Sequence, residues 1–122
     1  MGVGELGFLG ILFWLLVVHA ICDFPLQTEW MVKSKAPSAR QPRSSSSNPG
    51  LIWVHVLSSH AMIHAGGVAL VTGSIMLGMA EFIAHWLTDF GKGKQLYGFH
   101  TDQLIHVACK FAWALCLING IG

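Results

Sequence analysis

Residues 51–80 read LIWVHVLSSHAMIHAGGVALVTGSIMLGMA, thirty positions without a Lys, Arg, Asp or Glu. A small water-soluble domain has too little interior to hide such a run. It reads instead as two apolar helices joined by a tight Thr72-Gly73-Ser74 turn. The uncharged interval extends from Arg43 to Glu81, and a second one separates Glu5 from Asp23. Working outward, four apolar segments emerge, at about 6–22, 51–71, 75–90 and 103–119. A membrane-spanning helix needs roughly 17–25 mostly apolar residues. The second and fourth segments fit that length, and the first and third lie at its short end. The expected fold is all-α: one transmembrane domain over residues 1–122, a four-helix bundle of two pseudo-repeated helical hairpins.

Composition supports this reading. The chain has 122 residues, enough for one small domain. It is 53% hydrophobic and 11% charged, where soluble domains carry about 25% charged residues. Seven Lys/Arg against six Asp/Glu leave a net charge of +1. That excludes a broad basic nucleic-acid footprint and an acidic disordered segment. Cys22, Cys109 and Cys116 are odd in number and form no Cys-x-x-Cys pair, so they read as small packing residues. The N-terminus carries Glu5 where a signal peptide would place Lys or Arg, so the first apolar segment is expected to be retained.

The basic residues set the expected orientation. Lys33, Lys35, Arg40 and Arg43 lie between segments one and two, and Lys92 and Lys94 between three and four. The connection between two and three has none. The positive-inside rule then places loops 31–50 and 91–101 in the cytoplasm. Ser44 to Ser47, followed by Asn48-Pro49-Gly50, read as a flexible linker. Ala65, Ala69 and Gly73 form a small-residue ribbon at four-residue spacing, open to a helix of the same chain or of a second copy.

Polar residues within the segments are ordered. His19 and Asp23, His85 and Asp89, and Asp102 and His106 are each four apart, a spacing that puts both members on one helix face. In an antiparallel hairpin Asp89 faces Asp102, His85 faces His106 and Glu81 faces Lys110. The last two form an intramembrane ion pair or snorkel to separate interfaces; the spacing admits both. His19-x-x-x-Asp23-Phe24 matches His85-x-x-x-Asp89-Phe90, a weak internal repeat that suggests two similarly oriented hairpins. With His55 early in segment two, four histidines would form one layer, with the carboxylates a turn closer to the cytoplasm.

Ionisable groups in a membrane are costly and mark function. Gathered carboxylates repel unless protonated or bridged by a cation. Imidazole with carboxylate suits Zn²⁺, Mn²⁺ or Fe. The expected metal ligands are His19, Asp23, His55, His85, Asp89 and His106, with Asp102 and Asp23 as the catalytic carboxylates. His60 and His64 read first as inter-helix hydrogen-bond partners and second as an extension of the site. His100 is expected in a solvated loop, with Thr101 or Asp102 capping the last helix. Pro25 is expected to end the first helix just after Asp23.

The run His19-x-x-x-Asp23-Phe24-Pro25-Leu26-Gln27-x-x-Trp30-Met31, with a later His55, His85-x-x-x-Asp89 and Asp102-Gln103-x-x-His106, resembles a family of small uncharacterised integral membrane proteins of bacteria and their phages. The resemblance covers nearly the whole chain and implies an architecture rather than a reaction. More loosely, the His/Asp placement at helix ends is similar to the membrane-bound metal-dependent hydrolases, in arrangement rather than in motif. The resulting expectation is a metal-dependent hydrolase of a bacterial inner membrane, attacking a phosphoester or similar bond at the cytoplasmic headgroup level. Two alternatives stay open: a proton or divalent-cation carrier or channel, and a non-catalytic bacterial or phage interaction protein. The expected partners are the lipid bilayer and a second copy of the chain, with no nucleic acid.

Overall fold

The structure is a computed structural model that describes residues 5–37 and 51–122. Arg40, Arg43 and the Ser44–Gly50 linker lie outside the described residues. The described residues are helical, with no strand among them: α1 (Gly7–Asp23), α2 (Glu29–Ser34), α3 (Ile52–Thr72), α4 (Ile75–Gly93) and α5 (Phe99–Ile118).

Local chemistry accounts for the helix ends. Pro25 follows the C-cap Phe24, and α1 stops with Phe24 N–H bonded to Ala20 O. Thr28 starts α2 by accepting a hydrogen bond from Met31 N at 3.2 Å. Gly73 takes the left-handed conformation (φ 71°) that ends α3. Ser74 immediately caps α4, its Oγ accepting from Leu77 N at 3.1 Å. Two residues thus reverse the chain and force α3 and α4 to lie antiparallel.

Two expectations at the other end are corrected. Helix α4 continues to Gly93, and α5 begins at Phe99 after an extended Gly98 with no side-chain cap. His100, Thr101 and Asp102 therefore belong to the first turns of α5, not to a loop, and neither Thr101 nor Asp102 is the cap. Hydropathy marks where a segment ceases to be apolar. A helix satisfies its own backbone and runs past that point. The short connection is clamped by the Tyr97 hydroxyl, which donates to Thr88 O. Burial, then the nearby Asp102 and Asp89 carboxylates, push the Tyr97 phenol up, so it keeps the proton it donates. Gly91 is needed beneath it: a Cβ there would lie 2.6 Å from the Tyr97 oxygen.

The four long helices form a closed ring in which α1 and α4 each neighbour both α3 and α5. The α3–α4 contact is the most intimate. A Cβ on Gly78 would lie 2.9 Å from Ala65 O and from Ala69 Cβ. The small-residue ribbon is therefore used within the chain. Trp86 Nε1 donates to Ser58 Oγ across the same interface at 3.1 Å. Helix α2 packs on α3 at the end of the bundle that holds the α4–α5 turn.

The interior divides into two halves. Ile11, Leu15, Val68, Leu77 and Ala114 form an apolar core near the α3–α4 turn. The other half is polar. Among the described residues thirteen polar or charged side chains are buried against ten hydrophobic ones, while Leu70 and Leu9 are 86% and 78% exposed. This inverts the distribution of a water-soluble fold. Helices α3 and α5 are long and apolar enough to cross a membrane by length and composition; α1 is apolar but shorter.

Candidate metal centre

Three helices contribute i, i+4 pairs to the polar half, and α3 contributes a fourth. From α1 come His19 and Asp23, from α4 Glu81, His85 and Asp89, and from α5 Asp102, His106 and Lys110. Helix α3 supplies His60 and His64. All ten are buried.

The innermost layer is the Glu81–Lys110 ion pair. Lys110 Nζ donates to Glu81 Oε1 at 2.6 Å, and Trp113 Nε1 donates to Oε2 at 2.6 Å. The two charged residues are 0% and 1% exposed. The pair exists, and separate snorkelling does not occur. His85 Nδ1 lies 3.2 Å from the same Glu81 Oε1. A carboxylate anchored by Lys110 calls for a proton on that nitrogen. The opposite nitrogen, Nε2, is then left with a free lone pair, and it has no hydrogen-bond partner. A carboxylate behind a histidine in this way fixes tautomer and ring orientation at metal sites.

One turn further, imidazoles and carboxylates converge. Asp23 Oδ1 is 3.3 Å from His60 Nε2 and 3.5 Å from His64 Nε2. Asp89 Oδ2 is 3.5 Å from His60 Nε2 and 3.8 Å from His85 Nε2. His106 Nε2 is 3.2 Å from Asp89 Oδ1 and 3.4 Å from Asp102 Oδ1. The His64 and His85 rings stack at 3.7 Å, and His85 and His106 at 4.1 Å. Two groups of donor atoms lie within 4.8 Å of one another: Asp23, His60, His64 and His85, and then His85, Asp89 and His106.

These separations suit a metal. Donors about 2 Å from a tetrahedral zinc lie about 3.3 Å from each other. Among the described residues, neither ring nitrogen of His60 or of His64 makes a well-aligned hydrogen bond, though each Nε2 lies within 3.5 Å of Asp23 Oδ1. Each orphaned buried polar atom costs about 1–3 kcal/mol. A cation would turn that cost into ligation.

The periphery holds the carboxylates in place. Gln103 Nε2 donates to Asp23 Oδ2 at 2.8 Å, and Gln103 Oε1 faces His19 Nε2 at 3.3 Å. Gln27 turns back to donate to Asp23 O at 2.7 Å. Lys35, at the end of α2, donates to Asp89 Oδ2 at 2.5 Å, and Lys92 to Asp102 Oδ2 at 3.0 Å.

A family described as "Protein of unknown function (DUF3307)" matches residues 11–119. The chain belongs to this family. No curated protein and no solved structure matches it. The DUF3307 match spans every residue of the cluster.

Within this DUF3307 chain, His19, Asp23, His85, Asp89, Asp102 and His106 come together, but His19, expected as a ligand, belongs to neither donor group: its Nε2 faces Gln103 Oε1 at 3.3 Å. His55 does not join them. It is exposed on α3, and its assignment as a ligand is corrected. The reason is register. Counted back from the Gly73-Ser74 turn, the position level with His85 falls between His60 and His64, whereas His55 is level with Lys92. His60 and His64 are therefore central to the cluster rather than hydrogen-bond partners beside it. They share a face with Leu57, Ala61 and Val68, all buried, and that periodicity was the available signal. His100 is exposed, away from the cluster.

Proposed function

We propose that this chain is a membrane-embedded four-helix metalloprotein and a metal-dependent hydrolase acting at the cytoplasmic headgroup level. The membrane reading is supported by the inverted interior, by the spans α3 and α5, and by the lipid-like exposure of apolar side chains on all four long helices. The metal reading is carried by one observation: the unpartnered buried nitrogens of His60, His64 and His85 converge with Asp23 at ligand spacing.

His85, Asp89 and His106 form the three-ligand set that leaves a position open for water or substrate, the pattern of catalytic zinc sites. Asp23, His60 and His64 would hold a second ion or complete a four-ligand shell with His85. Zn²⁺, Mn²⁺ and Fe²⁺ all suit these donors. Such an ion supplies a hydroxide equivalent near neutral pH. Asp102, beside His106 and outside both donor groups, is placed to take the proton, with Asp23 as the second catalytic carboxylate. The carrier alternative needs a polar path to the opposite face, but the apolar core of Ile11, Leu15, Val68, Leu77 and Ala114 fills that half.

Elemental analysis of protein purified in detergent, without added metal, tests the reading. One or two equivalents of Zn, Mn or Fe per chain are expected. Failure to take up any of the three, in the purified protein and after titration, would falsify it. His60→Ala should weaken metal binding by more than tenfold, and His55→Ala should leave it unchanged. Equal losses would place both residues in the site. Affinity should also fall with acid, because a proton on an imidazole nitrogen competes with the metal.

Orientation is tested separately. The turn residue Leu96 is 74% exposed, and Ile121, at the opposite end, is 54% exposed. With Cys22, Cys109 and Cys116 replaced by alanine, Leu96→Cys should resist an impermeant thiol reagent added outside cells, and Ile121→Cys should react. The reverse pattern would invert the topology.

A further inference from the structure

The polar half of the bundle opens toward α2. Among the described residues, a cavity of about 260 Å³ is lined by Gln27, Lys35, Asp89, Lys92 and Gln95. It leads from the α4–α5 turn to one of the candidate metal ligands. Two of its lining residues are lysines, and each is engaged with a carboxylate of the cluster.

The charges at this level are unbalanced in an informative way. Among the described residues Asp89 pairs with Lys35 and Asp102 with Lys92, Asp23 has no lysine partner, and Lys110 is taken up by Glu81. Counting the described lysines alone, the layer is one negative charge in excess, which a cation, or a proton on His106 between Asp89 and Asp102, would offset. One divalent cation reverses the sign. It also competes with Lys35 for Asp89 Oδ2, where the ammonium sits 2.5 Å away. Lys35 ends a six-residue helix at the mouth of the bundle, and its stem is long enough for the ammonium to swing into the cavity. Lys92, about one-third exposed, is already at the rim.

We propose that the metal-loaded site takes a phosphate-class oxyanion in this cavity, with Lys35 and Lys92 as its binding residues. The proposal rests on the metal reading and gives it a substrate class: a phosphate monoester or a lipid phosphate headgroup. In the metal-free protein Lys35 is a tethered stand-in for the cation. In the loaded protein its ammonium becomes a ligand for the anion. Lys35, Lys92 and Asp89 line the same cavity, so an ion held by Asp89 and the two ammoniums would meet the same oxyanion.

The experiment titrates inorganic phosphate into detergent-solubilised protein, metal-free and loaded with Zn²⁺ or Mn²⁺, with metal content measured in every sample. The loaded protein should bind phosphate at least about tenfold more tightly than the metal-free protein, as expected for added charge-assisted contacts. The double variant K35Q/K92Q should keep its metal and lose about tenfold or more in phosphate affinity. K35R/K92R, which retains the charges, should recover most of that loss. Equal phosphate binding with and without metal, or full affinity in K35Q/K92Q, overturns the proposal and leaves the metal site standing. A chain that takes up no metal overturns both. Repeating the titration in phosphatidylcholine nanodiscs, with and without phosphatidic acid, separates the sources. Competition by phosphatidic acid identifies a lipid headgroup; undiminished phosphate binding identifies a soluble ester.

Discussion

Replacing His85 by alanine should cause the largest single loss of metal affinity expected at the cluster. His85 is the one residue common to both groups of candidate ligands, so its loss weakens each of them. Asp89→Asn should act on one group only. It removes the carboxylate shared by His106, Lys35 and His60, and should lower affinity while leaving the Asp23, His60 and His64 donors in place. Glu81→Gln offers a graded control. It leaves every ligand but weakens the acceptor that orients His85, and should cost roughly 10–100-fold in affinity. His100→Ala, at an exposed position outside the cluster, should change nothing. Isothermal titration on metal-stripped protein reads all four. A His85→Ala protein that binds as tightly as the wild type would remove the cluster as the metal site.

The second large effect concerns the ion pair beneath the cluster. Lys110→Ala leaves Glu81 charged, 0% exposed, and answered only by Trp113 and His85. Removing one partner of a buried pair costs roughly 3–5 kcal/mol. Replacing both residues by apolar ones of similar size, Glu81→Leu with Lys110→Met, should recover much of that loss. Thermal unfolding in detergent measures both. Additive losses would show that the two residues do not share their energy. The double variant should also bind metal less well, because His85 then lacks its orienting carboxylate. That separates the stabilising role of the pair from its positioning role.

The sequence determined everything that depends on spacing along a helix or across a short turn. The apolar runs yield the helices, since a buried backbone must satisfy its own hydrogen bonds. The i, i+4 pairs put His19 with Asp23 and His85 with Asp89 on single faces. The α4–α5 hairpin has few alternative registers, so Glu81 facing Lys110 and His85 facing His106 follow from counting outward from the turn. The same counting across Gly73-Ser74 leads to His60 and His64. His55 instead drew attention by analogy with His106, each being the first histidine of its segment.

Tertiary structure alone decided the rest. The face that α3 turns inward is set by how closely it can approach α4, and Gly78 against Ala65 and Ala69 sets that rotation. The small-residue spacing marks that face in the sequence, but not which helix meets it. Lys35 reaches Asp89 across 54 residues of chain, and Gln103 joins Asp23 across 80. Neither contact has a helical or turn signature, because each is made only when separate helices close the ring. Periodicity specifies which residues share a face. Only packing specifies which faces meet.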